Sequence, residues 1–222
     1  MANVYKALEQ ARRVDGPAAK AGAAGVVAAD GRLRFGREMR QLSARLQPLA
    51  DERGSIVLLF TACGRGEGTT TVSWELAQHL AAEGRRVLFC APLGGQAWAG
   101  ANGDARPVVA GPLDTLHQAD ISDLRRDSSG VSGNIAFRAW LEQQRANFDF
   151  ILIDGPPLLA QQSWSTMLKV PDGIILVLEA EKTRSMLVTS TVSMIEEAGG
   201  HILGLVFNKR RQYVPRFLYK WL

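Results

Sequence analysis

Thr61-Ala62-Cys63-Gly64-Arg65-Gly66-Glu67-Gly68-Thr69-Thr70-Thr71 decides how the rest of the chain is read. An apolar run, Ser55-Ile56-Val57-Leu58-Leu59-Phe60, precedes it, and an amphipathic one, Val72 to Ala82, follows. Strand, glycine-rich loop and helix in that order form a cradle for phosphate. The glycines let successive N–H groups point inward, and the helix N-terminus adds its positive dipole. The full pattern of such a loop is G-x-x-x-x-G-K-[ST], with the lysine on the β/γ-phosphates and the hydroxyl on magnesium. Here Cys63 stands at the first glycine position, Gly68 at the second, Thr70 at the magnesium hydroxyl and Thr69 at the lysine. The loop keeps its architecture and lacks its key charge.

Outward from the loop, composition sets the frame. A chain of 222 residues with 46% hydrophobic content buries one sizeable core, so one domain with appendages is expected. A formal charge of +4 is too small to imply nucleic acid by itself. No apolar run approaches the ~20 residues that span a bilayer. Lys6, Glu9, Arg12 and Arg13 interrupt any apolar core of a signal peptide. Two cysteines without C-x-x-C spacing argue against a zinc site or a disulfide framework. A cytosolic protein with reduced thiols is the expectation.

Before the loop, Ala2 to Val14 carries a short helical stripe through Val4, Leu8 and Ala11. Gly16 to Gly31 is Ala/Gly-rich and reads as a flexible linker. Leu33 to Gln47 places Phe35, Met39, Leu42 and Leu46 at helical spacing, with Pro48 as a natural stop. After the loop, Arg86 to Ala91 is a second buried strand, and Leu93 to Val109 an extended surface loop. Pro112 to Leu124 looks partly helical, Asp127 to Gly133 is a loop, and Ile135 to Phe148 is a helix with Phe137, Trp140 and Leu141 inward. Phe150 to Asp154, Gly173 to Leu178 and His201 to Phe207 complete five strands, with the helix Arg184 to Ala198 between the last two. Continuous apolar strands alternating with amphipathic helices imply a parallel sheet covered on both faces. The chemistry of such sheets lies outside the carboxyl ends of the strands, where Gly64 to Thr71, Ala91 to Leu93, Asp154 and Asn208 fall. Asp154, ending an apolar strand, has the placement of the acid that holds magnesium beside a phosphate loop. Cys63 and Cys90 end what look like neighbouring strands and read as small core residues. His79, His117 and His201 have no ligand pattern around them.

Four stretches in the right order make the chain resemble the bacterial tyrosine kinase family. They are Gly66-Glu67-Gly68 with its threonines, Phe150 to Asp154 followed by Gly155-Pro156-Pro157, Leu205-Val206-Phe207-Asn208-Lys209, and the ending Tyr213-Val214-Pro215-Arg216-Phe217-Leu218-Tyr219. The start Val4-Tyr5-Lys6-Ala7-Leu8-Glu9 is similar to openings in that family. The family belongs to the wider deviant-Walker group of phosphate-loop proteins that includes the cell-division and partition ATPases. The resemblance implies an α/β fold, a doubly wound parallel sheet of P-loop NTPase type with a helical N-terminal extension. The expected division is residues 1–50 for the helical extension and linker, 51–208 for the α/β domain and 209–222 for a basic-aromatic tail. It also implies ATP or ADP with magnesium as cofactors. Nucleotide would be held by Gly64, Arg65, Gly66, Glu67, Gly68, Thr69, Thr70, Thr71 and Asn208, and metal by Thr70 and Asp154.

Against the family pattern, the departures fall on the catalytic positions. Thr69 replaces the loop lysine, whose loss removes a point charge from the β/γ-phosphates. The family's next strand ends hydrophobic-Asp-x-Asp-x-Arg. The matching stretch places Cys90 and Pro92 at the two acids and Gly94 at the arginine, and neither Cys90 nor Pro92 can act as base or hard-cation ligand. Asp154, Thr69, Cys90 and Pro92 thus mark a vestigial catalytic set. The family's Glu-x-x-Arg-x-x-Arg assembly motif falls on Arg34, Arg37 and Arg40, and the tail keeps only Tyr213 and Tyr219. The tail, Lys209 to Leu222, has five basic residues, no acid and interleaved aromatics, a composition that suits an anionic membrane surface or a partner's cytoplasmic segment. The expectation is a degenerate, non-catalytic member that regulates or scaffolds an inner-membrane polysaccharide co-polymerase or export complex. It would be cytoplasmic, peripheral at the inner membrane and capable of self-association, with no nucleic-acid role. The alternatives are an active autokinase or ATPase that uses Arg65 or a partner's residue for the missing charge, and a partition- or division-type positioning ATPase.

Overall fold

The structure is a computed structural model, and it describes residues 36–92, 108–121 and 131–209. A seven-stranded sheet has the order β3-β4-β2-β5-β1-β6-β7. Its strands are β1 (Ile56–Ala62), β2 (Val87–Ala91), β3 (Val108–Ala110), β4 (Leu116–Asp120), β5 (Phe150–Asp154), β6 (Gly173–Glu179) and β7 (Ile202–Asn208). Every pairing is parallel except β3 with β4 at one edge. The helices are α1 (Gly36–Arg53), α2 (Thr69–Ala82), α3 (Val131–Gln144) and α4 (Ser185–Glu197), with two 3-10 segments, Leu158–Ala160 and Gln162–Lys169, after β5.

The continuous apolar strands work because both faces are covered. In β1, Ile56, Leu58 and Phe60 point to one face, where α1 and α2 contribute Met39, Leu46, Leu76 and Leu80 to the same core. Val57 and Leu59 point to the other, with Phe137, Trp140 and Leu141 of α3 and Ile195 of α4. That alternation, period two along each strand, builds the doubly wound sheet expected from sequence. Phe137, Trp140 and Leu141 are all buried, as their helical spacing requires.

Four expectations fail for identifiable reasons. Pro48 does not stop its helix: α1 runs through it to Arg53. An interior proline costs about 3 kcal/mol, but Ala50 beyond it is buried and Leu49 packs on the same core. The helix therefore also crosses the expected boundary at residues 50 and 51. The stretch from Pro112 contains a strand rather than a helix, since Leu116 to Asp120 pairs with both β2 and β3. Leu116, Ala119 and Ile121 are buried there, and cross-strand pairing overrides a leucine spacing that mimics a helix. The loop expected over Asp127 to Gly133 already belongs to α3 from Val131. Finally, β5 lies between β1 and β2, so Cys63 and Cys90 are not on neighbouring strands. Neither forms a disulfide and both are buried. The N-terminal stripe, the linker, Arg34, Gly94 and the tail beyond Lys209 lie outside the described residues.

Candidate functional site

At the carboxyl end of β1 the chain turns through the glycine-rich loop into α2. Gly68 caps the helix with φ 94°, in the left-handed region that favours glycine, and a Cβ there would collide with the Asn208 amide. Both constraints explain a glycine at this position. Gly66 also has a positive φ of 79°. Thr69 is the first residue of α2, half-buried, and its carbonyl accepts the Ser73 hydroxyl at 3.0 Å. Thr70 and Thr71 are exposed in the first turn, Arg65 is exposed in the loop, and Gly64 is half-buried.

β5 lies beside β1 and brings Asp154 to the same place. The Thr70 hydroxyl donates to Asp154 Oδ2 at 2.7 Å. Asp154 is 1% exposed, while Thr70 remains open to solvent. A hydroxyl and a carboxylate at a helix N-terminus, both hard oxygen donors, fit magnesium, which takes few protein ligands and completes its shell with phosphates and water. Among the described residues no group of three or more His, Cys, Asp or Glu side chains could hold a metal by itself. The donor set suits a cation that arrives with phosphate.

Beside this pair is a pocket of about 460 Å³, lined by Thr70, Trp74, Phe89, Ala91, Pro92, Gln118 and Asp154. Trp74 stands one helical turn after Thr70 and meets Phe89 edge-to-face at 5.0 Å. Asp154 is the only carboxylate in this lining. The vacancy expected at Cys90 is displaced by one residue. Cys90 pairs in register with Ile153 and packs with it in the core on the opposite face. Ala91 is the residue of β2 that turns into the pocket, and Pro92 lines it as expected. Trp74, Phe89 and Gln118 are the lining residues that sequence reasoning missed. The i, i+4 spacing from Thr70 was the available signal for Trp74. Gln118 had none, because its strand was not recognised.

The outer flank of the loop is tied by its own acid. Glu67 is 7% exposed; its carboxylate accepts the Cys63 N–H at 3.1 Å and the Thr183 hydroxyl at 2.7 Å. Asn208, ending β7, donates its amide to the Glu67 carbonyl at 2.9 Å and accepts the Lys209 N–H at 2.8 Å. Lys209 donates to the Gly66 carbonyl and lies 3.3 Å from Glu179. Slight desolvation of Glu179 is outweighed by hydrogen bonds from Lys182 and Lys209, which hold its carboxyl below the usual range. Burial pushes the Cys63 thiol up to about 11, against a Thr191 hydrogen bond that lowers it and with help from the Glu67 charge. Cys63 is thus a neutral packing residue rather than a nucleophile. Arg37 and Arg40 are exposed on α1, remote in sequence from the loop.

Comparison with known proteins agrees with this fold. No protein-family model matches the chain. It is 24% identical over 179 residues to tyrosine-protein kinase CpsD of Streptococcus agalactiae serotype III, covering 72% of this chain and 77% of that one. The solved kinase domain of VpsO is similar in structure, with 25% identity, TM-score 0.57, and 80% and 99% of the two chains covered. The chimerical protein CapA2B2 shares the fold at 15% identity and TM-score 0.68, covering 93% and 100%.

Proposed function

We propose that this chain is a catalytically idle member of the bacterial tyrosine kinase family. It would serve as a regulatory or scaffolding partner of a membrane complex that makes or exports capsule or exopolysaccharide. The observation that carries the idle reading is the pocket wall. Where a base and a second metal ligand would stand beside Asp154, the wall presents Ala91 and Pro92, backed by Phe89 and Trp74. None of these can take a proton from an acceptor hydroxyl or coordinate a hard cation. Thr69 adds a second deficit, because a hydroxyl carries no charge to offset the phosphates. Losing one preorganised charge of this kind raises a barrier by about 3 kcal/mol, more than a hundredfold in rate.

The cradle itself supports retention of ATP or ADP with magnesium. Nucleotide bound there supplies the phosphoryl group and its accompanying cation. Thr70 and Asp154 offer the oxygens that would orient the metal, and the N-terminus of α2 offers its amides and dipole to phosphate. Among the described residues, Thr70 and Asp154 are placed to hold, and no second carboxylate lines the pocket to activate.

The polysaccharide setting and an inner-membrane co-polymerase as partner rest on the family resemblance. Among the described residues no helix is long and apolar enough to cross a membrane, so attachment would come from the partner and from the basic-aromatic tail. The test is phosphotransfer from labelled ATP, with magnesium, to a tyrosine-containing acceptor and to the chain itself. The native chain is expected to show none above background. Turnover on the order of 1 s⁻¹, in the range of working kinases, would make it an active enzyme with a rewired loop.

A further inference from the structure

Phosphate loops gather several backbone N–H groups into one concavity, and without an anion their dipoles repel one another. In this chain a side chain answers that problem from within. The Glu67 carboxylate accepts the N–H of Cys63 across the neck of the loop, and its second oxygen accepts the hydroxyl of Thr183. Thr183 is itself fixed, since its oxygen accepts the Glu179 N–H at 3.0 Å. From the end of β7, Asn208 holds the Glu67 carbonyl and Lys209 the Gly66 carbonyl. Lys209 is placed for this by a left-handed backbone, φ 58°, uncommon for a residue with a side chain. Its ammonium is held on the far side by Glu179, which also meets Lys182 at 3.2 Å. Two consecutive loop carbonyls and the loop's only acid are therefore anchored to one edge of the sheet.

We propose that Thr183 and Lys209 are positioning residues: they hold the phosphate loop in its binding shape in the absence of nucleotide, with Glu67 as the inner strut. Asn208, which the resemblance places among the nucleotide-holding residues, also belongs to this brace by donating to the Glu67 carbonyl. The proposal rests on the reading of the loop as a nucleotide cradle only for its purpose, not for the contacts. A preformed loop suits a protein whose nucleotide lacks a loop lysine to organise the chain around it.

Hydrogen–deuterium exchange on the full chain without nucleotide tests it, alongside MgADP calorimetry. In Thr183→Val and in Lys209→Met, the Cys63 amide, whose N–H the Glu67 carboxylate accepts, is expected to exchange at least tenfold faster while β1 and β5 stay unchanged. MgADP affinity should fall about fivefold in both. Thr183→Ser and Lys209→Arg should restore slow exchange and affinity, since each returns the donor. Unchanged loop exchange in both deletions would overturn the proposal. So would acceleration spread through β1 and β5, because the contacts would then serve general stability. If loop exchange responds as expected but the native chain gives no heat with MgADP, the brace stands and the nucleotide-cradle reading falls.

Discussion

The amino end of the sheet and the pocket beside Asp154 use charge in opposite ways. At the amino end, ion pairs close on one another. Arg145 forks onto Asp172 at 2.8 and 3.1 Å, and Asp172 also accepts the Val57 N–H at 2.7 Å. Arg86 reaches Asp149 through its backbone N–H and its guanidinium at 2.8, 3.2 and 2.7 Å. These residues lock the entries of β1, β2, β5 and β6 together. At the pocket, Asp154 accepts the solvent-facing Thr70 hydroxyl, Ala91 and Pro92 line the wall, and Thr69 opens α2. Charge at the amino end is part of the fold. Around Asp154 the strands are intact, and Ala91 and Pro92 line the pocket in place of charged groups.

The same substitution at both ends sharpens this contrast most. Asp172→Asn leaves the half-buried Arg145 guanidinium with Glu142 as its carboxylate partner and should lower unfolding free energy by about 2 kcal/mol. Asp154→Asn keeps an acceptor for Thr70 and should cost about 1 kcal/mol or less. Chemical denaturation of the two variants checks both. Equal losses would mean that Asp154 is as structural as Asp172 and would break the comparison.

A smaller effect concerns acid. Partial desolvation of Asp149 raises its pKa, but hydrogen bonds and charge from Arg86 outweigh this and hold it below the usual carboxylate range. A folded-state pKa below the unfolded value gives stability that is present above the unfolded pKa and lost as pH falls through the folded one. Because the Arg86 guanidinium is 54% exposed, the pair should contribute only about 0.5 kcal/mol. Stability curves of the native chain and Arg86→Ala should therefore run parallel above about pH 5 and converge below the ordinary carboxylate pKa near 4. Curves still separated by the same gap at pH 2 would mean that Arg86 acts through packing instead.

Much of this organisation was legible in sequence because it is local or periodic. β1, β5 and β6 are unbroken apolar runs, and Cys63 to Thr71 declares its loop through glycines at fixed offsets. β4 was not legible, since Leu116-His117-Gln118-Ala119-Asp120 has neither alternation nor an apolar run and is a strand only by virtue of its two neighbours. Pro48 misled because local propensity is silent about the burial of Ala50. Within the site, the structure brings Thr70 and Asp154, both named by position, within hydrogen-bond distance, whereas Cys90 lies on the face away from the pocket. A one-residue shift in a strand reverses every side chain, and only the register with Ile153 resolves it. The brace on the loop was invisible for another reason: Thr183 and Lys209 lie 116 and 143 residues from their partners Glu67 and Gly66.

In the proposed reading this site keeps its phosphate cradle and lacks the loop charge, with Thr69 at the lysine position. Calorimetry of MgATP binding to the native chain and to Thr69→Lys addresses it directly. The native chain should bind weakly, and Thr69→Lys should bind at least tenfold tighter, a gain of about 1.4 kcal/mol. Micromolar binding by the native chain that Thr69→Lys leaves unchanged would contradict it, because the missing lysine would then not be what the site lacks.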